Sequence, residues 1–442
     1  MADAPEEFPK KDGPEIPEEK DDAAAKKKAA PKKKAAPKKK AAPKKKAAVK
    51  KKKATALTRG RDFLRKNLKD ADDDVVATDG DLKQSRPHIP SGSIIIDYTI
   101  GGIPNQFGVP PCPGYPRGRL VNVYGQESAG KTTMMLMAAA RLIKEGGTVV
   151  YVDWEHSIDL AYSASLGVDV EDEDHFALVQ ARSMERGLAY IMTMARAGVD
   201  LIVIDSVGAG VPQSILDQKA EDEGNMGRIG LAAGIWSNSL RKLKGIISRT
   251  GTCVVGIAQL RKNINTSGYG GEDELPQGGL AWRFYSELRI RLKRIGTEKN
   301  VRYDAVTHKK DKVATGMKVK IKIDKSKVSA SQGKESVFYV TFGEGIDDFR
   351  AVMEIGLSHR LVKRSGAVYS FAMPNGEIAK STGKDAFKAL LHQQPEVWAA
   401  LHQAVTAKLN AIPEAAHTVT LVPEVHEDDF GDIEDFITTA NE

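Results

Sequence analysis

The stretch GQESAGKT, Gly125 to Thr132, lies at the end of an apolar β-rich run, RLVNVYG, and at the start of a helical one, KTTMMLMAAARLIKEGG. It satisfies G-x-x-x-x-G-K-[ST] in the strand-then-helix setting that the motif requires. A glycine-rich turn there lets backbone N–H groups wrap phosphate oxygens at a helix N-terminus. Gly125, Gln126, Glu127, Ser128, Ala129, Gly130, Lys131, Thr132 and Thr133 are therefore the expected cradle. Lys131 would reach the outer phosphates of ATP, and the Thr132 hydroxyl would ligate Mg²⁺.

The flanking sequence continues the alternation. TVVYVD, a helix to about Gly167, FALVQ, a helix near 183–197 and LIVID follow in order, and TCVVGIAQL, ELRIRLKR, MKVKIKID and SVFYVTF are further strand candidates. Short apolar strands alternating with helices predict an α/β fold, a mainly parallel sheet buried between helices. Residues 346–410 turn mostly helical and are expected to form a second, small α+β domain. The expected divisions are 1–53, a disordered tail; 54–90, a helix and linker; 91–345, the ATPase core; 346–412, the C-terminal domain; and 413–442, an acidic tail.

Charge is distributed unevenly along the chain. The net charge of +7 hides a segment, residues 26–53, with 16 lysines and no acid, whereas residues 54–442 carry 47 basic and 50 acidic side chains. A nearly balanced body with a basic appendage places any nucleic-acid site on local features rather than on a basic globule. Residues 1–53, with almost no aromatics, cannot offset the entropy of ordering. TALTRGRDFLRKNLKDA reads as a short amphipathic helix near 56–69. No apolar run reaches the roughly 18 residues of a membrane span, and the amino terminus lacks a signal-peptide pattern. Two cysteines far apart, Cys112 and Cys253, fit a reducing, cytoplasmic setting.

Two acids stand out beside the phosphate loop. Asp205 ends LIVID, 74 residues after Lys131, and is placed to hold Mg²⁺ through water. YVDWEHSID ends the strand between them and offers Asp153, Glu155 and Asp159; of these Glu155 is the choice for orienting or deprotonating an attacking water. Gln259 ends another strand, where an amide is within reach of phosphate.

These motifs together carry a resemblance. From about residue 56 to 410 the chain is similar to RecA-family recombinases, through GQESAGKTT, VDWEHSIDLAYSASLGVD, LIVIDSV, NMGRIGLAAGIWSNSLRKL, GIAQLRKNI, GGLAWRFYS, KSKV and GEGID in this order. The resemblance implies a RecA-type core, ATP and Mg²⁺ as cofactors, and a cytoplasmic, nucleoid-associated protein. It implies that Glu155 is the catalytic glutamate, that Tyr162 stacks on adenine with Asp159 beside it, and that Gln259 senses the γ-phosphate. It implies further that Lys325 and Lys327 reach ATP on a neighbouring subunit.

The same resemblance places DNA contacts on two loops, about 213–230 and 262–279. Met226 and Ile264 would be apolar wedges between bases; Arg241, Arg261 and Arg283 are the candidates for phosphate contact, with Gly278 and Gly279 at the second loop's end. The sequence departs from the family pattern at Gly234, where an arginine is usual, and at Leu280, where an asparagine is usual. The first loop is about three residues longer, so Arg228 is the candidate to supply the missing charge. An insertion, IPNQFGVPPCPGYP, precedes Arg117 and has no functional account.

The expected activity is ATP-dependent strand exchange in a homo-filament on single-stranded DNA, paired with homologous duplex, with repressor and mediator proteins as further partners and no membrane. The helix at 56–69 would dock on the adjacent subunit. The lysine arm would be an accessory that captures duplex or is masked by the acidic segments. Two other readings stay open: a hexameric helicase-type motor on the same fold, and a DNA-compacting architectural protein with a vestigial ATPase.

Overall fold

The computed structural model describes residues 84–105, 107–217, 230–262, 274–304 and 309–411, all within the unit Asp79–Glu442. The lysine arm, the 56–69 helix, Met226, Arg228, Ile264 and the acidic tail lie outside these residues.

The chain enters through β1 (His88–Ile89) and α1 (Ile94–Gly101), and β2 (Tyr115–Pro116) pairs back on β1. Next come β3 (Leu120–Gly125), α2 (Lys131–Lys144), β4 (Val149–Asp153), α3 (Leu160–Ser165), β5 (Phe176–Val179), α4 (Met184–Ala197), β6 (Leu201–Asp205) and α5 (Gln213–Leu216). Then follow α6 (Leu231–Thr250), β7 (Cys253–Lys262), β8 (Glu274–Pro276), α7 (Gly279–Tyr285), β9 (Leu288–Asp304), β10 (Lys309–Ser326), β11 (Glu335–Thr341) and β12 (Gly345–Ile346). The C-terminal part comprises α8 (Asp348–Ser358), β13 (Val362–Ser365), β14 (Val368–Ala372), β15 (Ile378–Thr382), α9 (Lys384–Gln393) and α10 (Pro395–Asn410).

The main sheet runs β5-β4-β6-β7-β3-β9-β10-β11-β12. Its six strands from β5 to β9 are mutually parallel, and β10, β11 and β12 extend it antiparallel. Parallel strands need both faces covered, and the side-chain alternation supplies both. Val121 and Val123 of β3 face the core that holds Met134, Met135 and Ala138 of α2, while Leu120 and Tyr124 face the one built from α4 and α6. The first of these cores runs on without a break into Val352 of α8 and Leu401 of α10. The region read as mostly helical also holds a separate three-stranded antiparallel sheet, β13-β14-β15.

Helix ends follow from local chemistry. Ser183 caps α4, its hydroxyl accepting from Arg186 N, and Gly198 closes that helix in the left-handed region. Both cysteines are buried and free. Among the described residues no helix is long and apolar enough to cross a membrane.

Candidate nucleotide site and its link to the second loop

The loop after β3 turns into α2 through Ser128 and Gly130, both at positive φ, 55° and 82°. Such a turn points successive N–H groups inward, the geometry of an anion nest. Gly130 is fixed by its φ; a Cβ there would also come within 3.1 Å of Met317 Cε, the far end of a flexible side chain. Gly125 has a packing reason of its own: a Cβ would lie 2.3 Å from the Leu292 carbonyl oxygen on β9. Lys131 folds over its own loop, donating to the carbonyls of Gln126 at 2.7 Å and Gly125 at 3.3 Å. Burial holds its ammonium below the usual lysine range, against the pull of Asp205, Glu155 and Glu127.

A cavity of about 370 Å³ opens beside the loop. One wall is Ser128 to Thr133 with Tyr162, whose hydroxyl is 3.0 Å from Thr133 Oγ1. The opposite wall is Arg294, Met317, Val340 and Phe342. The sequence reading missed this second wall, because it comes from strands more than 150 residues downstream and bears no local motif. Asp159 acts as the N-cap of α3, its Oδ1 accepting from Ala161 N at 2.9 Å and Tyr162 N at 3.1 Å, so it fixes the helix that presents Tyr162.

At the carboxyl ends of β4, β6 and β7 the acids converge. Thr132 Oγ1 donates to Asp205 Oδ2 at 2.8 Å, and the buried Tyr151 hydroxyl donates to the same oxygen at 2.6 Å. Burial pushes the Asp205 carboxyl up, and these two bonds pull it back. Asp153 is buried, and its Oδ1 has no hydrogen-bond partner among the described residues. A threonine hydroxyl, an adjacent carboxylate and an orphaned carboxylate oxygen form a hard-oxygen donor set that fits Mg²⁺ bound jointly with phosphates.

Glu155, exposed at the end of β4, accepts from Ser206 Oγ and from Gln259 Nε2, the latter at 3.1 Å. Gln259 in turn takes a backbone bond from Gln277 N at 2.9 Å. β7 and β8 pair antiparallel there, Leu260 with Pro276 and Arg261 with Leu275. The second loop thus leaves and returns through a hairpin whose base touches Gln259. Ser206 went unnoticed in the sequence, since a serine after an apolar strand has no signature of its own.

The remaining expected residues are distributed around this centre. Gly278 and Gly279, at φ 91° and 75°, turn the chain into α7. Arg241 on α6, Arg261 on β7 and Arg283 on α7 are exposed, and Arg241 Nε donates to Tyr285 hydroxyl at 3.3 Å. Lys325 and Lys327 do not line the chain's own cavity. Lys325 Nζ donates to the carbonyls of Arg283 and Phe284 at 3.0 and 3.1 Å, closing the C-terminus of α7; Lys327 is exposed.

A phosphate loop, a hydroxyl–carboxylate pair and two further carboxylates at one sheet end define a nucleotide-hydrolysing P-loop protein. Residues 70–347 match the RecA N-terminal domain. The chain is 35% identical over 333 residues to Protein RecA of Gluconobacter oxydans (strain 621H), covering 75% of this chain and 86% of that protein. It is 36% identical over 330 residues to Protein RecA 1 of Myxococcus xanthus (74% and 86%) and 38% over 312 to Protein RecA of Xanthomonas euvesicatoria pv. vesicatoria (70% and 81%). The chain belongs to the RecA family, the DNA-dependent ATPases of recombination and DNA repair.

Proposed function

We propose that the chain hydrolyses ATP while assembled as a helical filament on single-stranded DNA, and pairs that strand with homologous duplex. The observation that carries this reading is the hydrogen-bonded path from Ser206 through Glu155 to Gln259 and on to Gln277 at the root of the second loop. It gives the γ-phosphate end of the crevice a direct mechanical neighbour in the loop assigned to DNA.

In this reading the amides of Gln126 to Thr133 and the Lys131 ammonium hold the phosphates, and Tyr162 faces the base. Thr132 and Asp205, with Asp153 behind them, would hold Mg²⁺, and the metal would supply charge neutralisation for the phosphates. Glu155 orients the attacking water and accepts its proton. Gln259 changes partner when a γ-phosphate is present and so repositions the second loop. Arg241, Arg261 and Arg283, with Arg228, Met226 and Ile264, grip the strand. Lys325 and Lys327 reach the nucleotide of the next subunit, which requires Lys325 to release the end of α7. The divisions at 90 and 345 and the docking role of residues 56–69 belong to the same proposal, as do a nucleoid location and duplex capture by the lysine arm.

The deciding experiment measures ATP turnover with and without single-stranded DNA for the wild type and Glu155→Gln, with negative-stain images of both. DNA-stimulated turnover with filaments, and a variant that keeps filaments but loses turnover, is the expected result. Closed rings would point to a motor, and DNA binding indifferent to nucleotide to an architectural protein.

A further inference from the structure

The strand β4 reads Val149-Val150-Tyr151-Val152-Asp153 and is buried at every position. Packing alone asks for an apolar residue at 151, and a phenylalanine would place the same ring there. The phenol oxygen is the part that a core does not need, and a buried hydroxyl is costly unless it is bonded. Here it is bonded to Asp205 Oδ2 at 2.6 Å, the same oxygen that accepts from Thr132 Oγ1 at 2.8 Å, and the Thr132 hydroxyl is itself a neighbour of the phenol. An ionised carboxylate can only accept, so Tyr151 and Thr132 are both donors.

We propose that Tyr151 is a positioning residue for the metal–nucleotide site: by tying Oδ2 from inside the core, it fixes the Asp205 carboxylate with Oδ1 left to accept from metal-bound water. The proposal rests on the reading of Thr132 and Asp205 as the Mg²⁺ site. The logic is that of outer-shell partners elsewhere, which orient a metal's ligands without touching the metal. The two hydroxyls divide the work: Thr132 gives its proton to Oδ2 and keeps its oxygen lone pairs for the metal, while Tyr151 holds the same carboxylate oxygen from the core. The register supports the division of labour. Tyr151 pairs with Val203 and Asp153 with Asp205, so the tyrosine lies one pleat beneath the acids and its hydroxyl rises to Asp205 from the core side.

The test is Tyr151→Phe in the full chain, which removes the hydroxyl and keeps the ring. ADP binding is measured calorimetrically with EDTA and with Mg²⁺, and Mn²⁺ binding to the ADP complex by electron paramagnetic resonance. The expected result is unchanged affinity for metal-free ADP, with metal-dependent affinity down by about tenfold and turnover restored to the wild-type rate at saturating Mg²⁺. Equal affinity for Mg²⁺–ADP in both proteins would overturn the proposal. So would an equal loss with and without metal, which marks a general disturbance of the cavity. If the wild type itself binds ADP equally in Mg²⁺ and EDTA, the metal reading of Thr132 and Asp205 fails, and the Tyr151 proposal with it.

Discussion

Gln259 Nε2 lies 3.1 Å from Glu155 Oε1, so the carboxylate proposed for hydrolysis and the amide at the root of the second loop are hydrogen-bonded to each other. Two substitutions separate their roles. Glu155→Gln keeps the size and a hydrogen-bonding end but removes the proton acceptor, and is expected to lower kcat by about a hundredfold or more with nucleotide affinity retained. Gln259→Ala leaves the carboxylate in place and breaks the connection, so turnover without DNA persists while its stimulation by single-stranded DNA disappears. Steady-state ATPase assays with and without DNA distinguish the two patterns. Equal stimulation in wild type and Gln259→Ala would mean that the bond carries no signal.

The side chain of Trp154, next to Glu155, packs edge-on against Trp236 of α6, with ring centroids 5.7 Å apart, and Trp236 packs likewise against Trp282 of α7 at 5.1 Å. Glycine makes room for this stack: a Cβ on Gly187 of α4 would lie 2.4 Å from Trp154 Cζ2. Alanine is favoured over glycine in a helix by about 1 kcal/mol, but overpacking a core costs about 1 to 3 kcal/mol. At Gly187 the second effect wins, and Gly187→Ala is expected to lower the Tm and disturb Glu155. At Gly245 of α6 a Cβ meets nothing within 4 Å, so Gly245→Ala should raise stability by up to about 1 kcal/mol. Thermal unfolding of the two variants side by side tests whether the stack or helix propensity decides.

The core strands and the phosphate loop were legible because each is local: an apolar run, a glycine turn, a helix start. Candidate residues at strand ends, Asp205, Glu155 and Gln259, were legible for the same reason, as parallel strands deliver their carboxyl ends to one crevice. What escaped was built by distance or by pairing alone. β9 runs to Asp304 and β10 begins at Lys309, well beyond ELRIRLKR and MKVKIKID. From Gly296 to Asn300 no residue is buried, and cross-strand pairing with β10 carries the strand on without an apolar pattern. β13, β14 and β15 are only four or five residues each, too short to show a period between helices. Arg294 and Phe342 reach the nucleotide cavity only because the antiparallel extension folds beside the loop. Tyr151 was hidden by its surroundings, since an aromatic residue in a valine-rich strand reads as core.

The lysine arm makes a separate prediction, drawn from its charge. Residues 26–53 carry 16 lysines and no acid, and each phosphate they neutralise adds about −0.9 to the slope of log K against log salt. Deleting residues 1–53 should weaken duplex binding most at low salt and flatten that slope, while DNA-dependent turnover persists. Fluorescence anisotropy with duplex and single-stranded DNA across a salt series measures both. Complete loss of single-strand binding at every salt concentration would move the DNA site from the loops to the arm.

Asp97 of α1 sits where the core meets α8 and α10, and it ties stability to pH. Its Oδ1 accepts from Ser91 N at 2.9 Å. Burial is the main cause that pushes its carboxyl up, to about 7; the Ser91 bonds oppose this, Asp348 of α8 adds to it, and His402 of α10 opposes it. Asp348 Oδ1 also accepts from Ile94 N at 2.8 Å, and its Oδ2 lies 3.7 Å from His402 Nε2. A carboxyl with a raised pKa binds its proton more tightly folded than unfolded. The stability it confers is therefore complete below the unfolded value of 3.8 and is lost as pH rises through about 7. The loss amounts to at most about 1.4 kcal/mol per pH unit across that window. Asp97→Asn keeps the acceptor for Ser91 and removes the ionisation, so its denaturation midpoint should vary less between pH 4 and 7 and exceed that of the wild type at pH 8. Chemical denaturation of both proteins across that range is the check, and parallel curves would place the pH dependence on other groups.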